Sequence, residues 1–108
     1  MKLVVIESPY AGDVERNTAY ARACMADSLR RGEAPFASHL LYTQVLDDLK
    51  PEQRACGISA GFDWGRKADL VAVYTDRGIS SGMLAGMERA RAAGQPIEIR
   101  TIGDGWAT

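Results

Sequence analysis

One histidine and two cysteines in 108 residues leave little from which to build a metal centre. A zinc site needs several such ligands at fixed spacing, and His39, Cys24 and Cys56 form no such set. Two cysteines make no disulfide framework either, and both are expected as buried thiols in a reducing cytoplasm. An excess of one charge is missing too: thirteen Lys and Arg stand against fourteen Asp and Glu. That balance lacks the basic surplus of a dedicated nucleic-acid binder, so no polymeric nucleic acid is expected as a partner. No apolar run approaches the roughly 18 residues of a membrane span. The opening Leu3-Val-Val-Ile6 is too short for a signal peptide and no small-residue cleavage site follows it, so it reads as a strand. No cofactor, metal or membrane is implied.

What is present is ordinary for a folded globule: 46% hydrophobic and 25% charged residues, with no repeat or Pro/Ser-rich linker. One domain over residues 1–108 is expected. Residues 2–6 form a nearly continuous β-branched run that suits a strand buried on both faces. Residues 13–31 turn helical, with Val14, Ala21, Met25 and Leu29 at helical spacing, Asp13 as cap and Gly32 as stop. A short strand is expected over residues 35–38. A helix over 39–49 is read from Leu41, Val45 and Leu49, and another from Pro51 toward Lys67. Asp69–Tyr74 is a second buried strand, 80–94 a helix, and 96–101 an alternating strand. Residues 103–108 are left open.

Helices alternating with short apolar strands imply a parallel sheet covered on both faces. Right-handed crossovers make 2-1-3-4 the simplest strand order, a small flavodoxin-like or Rossmann-like three-layer α/β sandwich. In such a sheet the ligand crevice opens beyond the carboxyl ends of the first and third strands. Two loops are thereby nominated. Glu7–Asp13 joins strand to helix through Ser8, Pro9, Tyr10 and Gly12, and the helix start can seat an anion. Thr75–Met83 carries Asp76 and Arg77, then Ser80, Ser81, Gly82 and Met83 where the last long helix begins. A serine there can cap the helix while the remaining donors suit a phosphate. Neither nucleotide fingerprint applies. A Ser/His/Asp triad can be written from Ser8 or Ser80, His39 and Asp76, although no Gly-x-Ser-x-Gly elbow supports it. Gly57, Gly61 and Gly65 share one helix face, as do Gly82 and Gly86, which suggests close approach to the sheet, a ligand or a second subunit.

The stretch from Trp64 through Ala68-Asp69 to Tyr74, followed by Ser80-Ser-Gly82 and Arg89-Ala90, resembles the nucleoside 2-deoxyribosyltransferase-like family. The similarity extends to Ser8-Pro9-Tyr10 and Gly12, to Asn17, and to the Pro35–His39 segment, which is similar to the short phage-type relatives. The resemblance implies a nucleoside-phosphate pocket built from Ser8, Pro9, Tyr10, Gly12, Asn17, His39, Asp69, Arg77, Ser80, Ser81, Gly82 and Met83. Tyr10 and Trp64 are candidates to stack on a base or ribose. The departures are chemical. Gly86 stands where the family carries its acting glutamate, and Gly61 where it carries a second acid. Glycine has no group to attack an anomeric carbon or to stabilise its positive charge. Glu7 is then the best relocated acid and Asp76 the next, whereas Glu88 should point away.

The leading expectation is nucleotide recognition without the family's catalysis. The alternatives are an N-glycosidase or deoxyribosyltransferase working through Glu7 or Asp76, and a non-catalytic interaction module. The glycine rows also suggest a homo-oligomer, with a two-fold dimer favoured.

Overall fold

A computed structural model describes residues 1–107. The sheet is parallel throughout, in the order β2-β1-β3-β4, as the crossover rule predicts. Its strands are β1 (Leu3–Glu7), β2 (Ala34–Phe36), β3 (Leu70–Tyr74) and β4 (Ile97–Arg100). Four helices accompany them: α1 (Val14–Arg30), α2 (Ser38–Leu41), α3 (Pro51–Gly65) and α4 (Ser81–Ala92). Among the described residues no helix is long and apolar enough to cross a membrane.

The period-two alternation of a strand decides which side chain meets which layer. Val4 and Ile6 of β1 join Tyr20 and Cys24 of α1, together with Leu70, Ala72 and Tyr74. Val5 points the other way, into a core with Val71, Val73 and the α4 residues Met83, Met87 and Ala90. Glu7 follows Val5 by two residues and therefore faces α4. That parity is the origin of the site.

Several expectations need correction. The buried stripe of α1 is Asn17, Tyr20, Ala21, Cys24 and Ser28, while Val14 and Leu29 are exposed. An apolar count missed it because two of the five are polar and engaged in hydrogen bonds. The helix read over 39–49 ends at Leu41 and passes through a 3-10 turn at Tyr42–Gln44. Here side chains compete with the backbone: Thr43 Oγ1 donates to the His39 carbonyl at 2.6 Å and Gln44 Nε2 to the Leu40 carbonyl at 2.8 Å. Leu41, Val45 and Leu49, which suggested the helix, are 50%, 79% and 92% exposed, so their spacing marks no core. Cys24 is buried as expected, but Cys56 is exposed on α3.

The caps follow the sequence. The Asp13 side chain accepts from the Arg16 amide at 3.2 Å, and Ser80 Oγ accepts from the Met83 amide at 3.2 Å. Gly32 ends α1 at φ +81°, a left-handed conformation that favours glycine. Beyond β4 the chain returns across α1, and Trp106 stacks edge-on against Tyr20 at 5.0 Å. Thr108, in the segment left open by the sequence, lies outside the described residues.

Candidate functional site

A cavity of about 150 Å³ opens at the carboxyl end of β1. Its walls come from the first loop, from α2 with the 3-10 turn, from α3 and from the start of α4. Eight of the sequence-nominated residues line it: Glu7, Ser8, Tyr10, His39, Ser80, Ser81, Gly82 and Met83.

The Glu7 carboxyl makes no hydrogen bond with any described residue. Its carboxyl carbon lies 2.5 Å from where a Cβ on Gly86 would stand. Two carbon–carbon bonds of about 1.5 Å span a similar distance, the reach from Cβ to the carboxyl carbon in a glutamate side chain. Glu7 thus fills the space that a side chain at position 86 would enter, from the opposite direction. Burial pushes its carboxyl up to about 8, against the nearby Arg89 guanidinium, which pulls it down. Ser8 Oγ and His39 Nε2 share a hydrogen bond of 2.7 Å. Burial pushes His39 down to about 4, so both titratable groups of the cavity floor are uncharged at neutral pH.

The start of α4 forms another wall. Ser80 is consumed as the cap, and Ser81 and Gly82, whose first-turn amides have no partner within the helix, line the cavity. Arg54 of α3 stands over this turn, its Nη2 3.9 Å from a Cβ built on Gly82. Arg54 Nη1 donates to Asp48 at 2.9 Å. Sequence reading missed both, along with Tyr42 of the 3-10 turn and Ile58 and Phe62 of α3 in the lining. A lone arginine near the start of a proline-started helix carries no motif, and only the fold brings it to α4.

The remaining nominated residues lie outside the cavity lining. Asp76 accepts from the Tyr20 hydroxyl at 2.6 Å and from the Ile102 and Gly103 amides at 3.0 and 2.9 Å. Although burial pushes the Asp76 carboxyl upward, these donors hold it below the usual carboxylate range. Its oxygens tie down the C-terminal segment and are not turned to a ligand. Asn17 donates to the carbonyls of Tyr10 and Ala11 and accepts from Arg77 Nε at 2.8 Å, so it and Arg77 brace the first loop from behind. Asp69 accepts from the Leu3 amide at 2.8 Å, at the amino end of the sheet and away from the site. Trp64 is 63% exposed and rests on Phe36. Pro9 is buried, and Gly12 turns the chain at φ +99°. No triad assembles, because Asp76 is committed elsewhere.

The glycine rows receive side chains of their own chain. A Cβ on Gly61 would meet Ser38 Cβ at 2.7 Å, and one on Gly65 would meet Arg89 Nη2 at 3.2 Å.

With this geometry established, comparison with known proteins adds the lineage. Residues 2–100 match the domain of unknown function DUF7768. The chain belongs to that family. No curated protein matches this DUF7768 chain by sequence. Among solved structures it is similar to a 2-deoxyribosyltransferase of Bacillus psychrosaccharolyticus, at a TM-score of 0.66 and 14% identity, covering 94% of this chain and 74% of the other. It is also similar to the CMP N-glycosidase BcmB of Clostridium botulinum, at a TM-score of 0.55 and 15% identity, covering 93% and 71%. The kinship of this DUF7768 domain with deoxyribosyltransferases is one of fold.

Proposed function

We propose that the cavity takes a nucleoside 5'-phosphate and that Glu7 acts on its glycosidic bond. One observation carries the reading: the Glu7 carboxyl occupies the space open to a side chain at Gly86, where the resembling family carries its acid. The phosphate is assigned to the first turn of α4, with Ser81, Gly82 and the Arg54 guanidinium as donors. Tyr10 and Tyr42 supply aromatic surface for the base or sugar. In the reaction, the ionised Glu7 carboxylate bonds to the anomeric carbon as the carbon–nitrogen bond breaks and the base takes a proton from solvent. Water then displaces Glu7 from that carbon, leaving its hydroxyl on the sugar and its proton in solvent. Turnover then rises with pH toward about 8, where Glu7 ionises.

A second reading is recognition without turnover. Its support is that the second carboxylate of the lining, Asp48, is paired with Arg54, that Ser38 stands against Gly61, and that Glu7 is mostly neutral near pH 7. In either case a two-fold dimer is motivated by the small cavity alone, since the glycine rows are filled by side chains of their own chain.

The test is incubation with a panel of nucleoside 5'-monophosphates, scoring thermal shift and free base together. Base release that Glu7→Gln abolishes and Glu88→Gln leaves intact supports the first reading. Stabilisation without base release supports the second. No shift with any nucleotide, or equal shifts for nucleosides and nucleotides, removes the phosphate assignment. Light scattering at tens of micromolar tests the dimer, and a clean monomer overturns it.

A further inference from the structure

Behind Glu7, away from the cavity lining, lies an arginine whose arrangement no ligand contact explains. Arg89 is three residues beyond Gly86 on α4, on the same helix face. Its Nη1 donates to Gln95 Oε1 at 2.6 Å, and Gln95 Nε2 in turn donates to the Gly65 and Ala68 carbonyls at 2.7 and 2.9 Å. The guanidinium lies over the Phe62 ring at 5.7 Å, and Gly65 leaves it room. One side of the group is therefore clamped. The other is not: Arg89 Nη2 is buried and has no hydrogen-bond partner among the described residues. A buried N–H without a partner costs about 1–3 kcal/mol and calls for an explanation. Glu7, across the Gly86 face, is a carboxyl without a hydrogen bond, and Arg89 is the charge that acts on it.

We propose that Arg89 is the positioning residue for Glu7, its free Nη2–H being the donor that the Glu7 carboxylate takes up when it loses its proton. Glycine at 65 and glycine at 86 make the room, one for the arginine and one for the acid. No bond to carbon is made or broken in this step: the proton leaves Glu7 for solvent, and a charge-assisted hydrogen bond replaces two unmet polar groups. The other ionisable groups nearby are accounted for. His39 is bound to Ser8, Arg54 is bound to Asp48, and Arg66, which repels Arg89, is paired with Asp63. The inference stands on Glu7 being the working carboxyl of the proposed site, but its test needs no substrate.

The experiment is carbon-detected NMR titration of the side-chain carboxyls in the intact protein, with the Glu7 signal assigned by its loss in Glu7→Gln. In Arg89→Gln the Glu7 midpoint is expected to move upward by about one pH unit or more. Arg89→Lys, which keeps the charge, should restore most of the shift. Gln95→Met, which frees the clamp and keeps the charge, should move the midpoint less than Arg89→Gln. An unchanged Glu7 midpoint in a folded Arg89→Gln protein overturns the proposal. If Arg89→Gln does not fold, Arg89→Met, which keeps the aliphatic stem and removes the charge, takes its place, and an unchanged Glu7 midpoint there overturns the proposal equally. A shifted midpoint in a protein that releases no base would retain this inference and remove the glycosidase reading alone.

Discussion

Two polar clusters sit on opposite faces of one sheet, and the chain completes only one of them. On the α1 face, Arg100 is buried and forms a fork with Glu33 at 2.7 and 2.8 Å, while the Tyr74 hydroxyl accepts from Arg100 Nη1 and donates to Asp27. Ser28 Oγ donates to Glu33 as well. On the α4 face, the Glu7 carboxyl has no hydrogen bond with any described residue, and Arg89 Nη2 has none. Every group of the first cluster is answered from within; the second is left waiting. The contrast teaches where to look for function. Buried polar groups that the fold satisfies hold the fold, and those it leaves open beside a cavity are available to something else.

The largest effect is expected on the completed side. Glu33→Ala strips buried Arg100 of two charge-assisted hydrogen bonds, leaving it Glu98 and the Tyr74 hydroxyl, and should cost roughly 3–5 kcal/mol in urea unfolding at pH 7. The sign with pH follows from the Arg100 hydrogen bonds, which hold Glu33 at about 2, below its ordinary 4.5. Its contribution is full above pH 4.5 and is lost as pH falls toward 2. A Glu33→Ala protein as stable as the parent would erase the comparison.

On the open side the sign reverses. Glu7 keeps its proton when folded up to about pH 8 but ionises near 4.5 when unfolded. Stability therefore declines on the Glu7 account as pH rises across that window. Glu7→Gln should flatten the decline, and urea midpoints from pH 5 to 8.5 will show whether it does. His39 works the other way: with a folded value of about 4 against 6.5, its contribution is lost as pH falls between those values. His39→Gln should remove that acid-side loss.

Next comes the contact itself. Gly86→Ala puts a Cβ against the Glu7 carboxyl and should destabilise by about 1–3 kcal/mol. In a Glu7→Ala background the same change should be neutral or stabilising, because alanine is preferred to glycine in a helix by about 1 kcal/mol. A double-mutant cycle reads the coupling, and additive effects would show that the two positions do not share space. The smallest effect is expected at Trp64. Exposed and outside the cavity, it should change nucleotide-induced thermal shifts not at all when replaced by alanine, whereas Tyr10→Ala should reduce them.

Much of this architecture is legible along the chain. Two continuous apolar runs, Val4–Ile6 and Leu70–Val73, announce strands covered on both faces, and their alternation with capped helices leads to a parallel sheet. The strand order and the nomination of the β1 end follow from chirality and topology. The site is half legible. Loop position brings Glu7, Ser8, Tyr10 and Ser80–Met83 into view, but motif likeness also brought in Asp69 and Trp64, which stand elsewhere. Asp76 and Arg77 share a loop with Ser80, yet their side chains turn to the α1 face. The Leu41, Val45, Leu49 spacing misled because periodicity reports a common helix face only if the backbone remains helical, and Thr43 and Gln44 end it.

What the sequence determines by itself is local and periodic: strand burial, caps, the turn at Gly32, and the parity that sends Glu7 with Val5 toward α4. What only the tertiary structure decides is which side chain fills which vacancy. A glycine in a sequence marks space without saying who enters it. Gly86 is filled by Glu7 from seventy-nine positions away, Gly65 by Arg89 and Gly61 by Ser38. Those meetings depend on the packing of α2, α3 and α4 over one end of the sheet, since contact between residues far apart in the chain is set by the distance between layers and by helix rotation, neither of which is written in any local pattern.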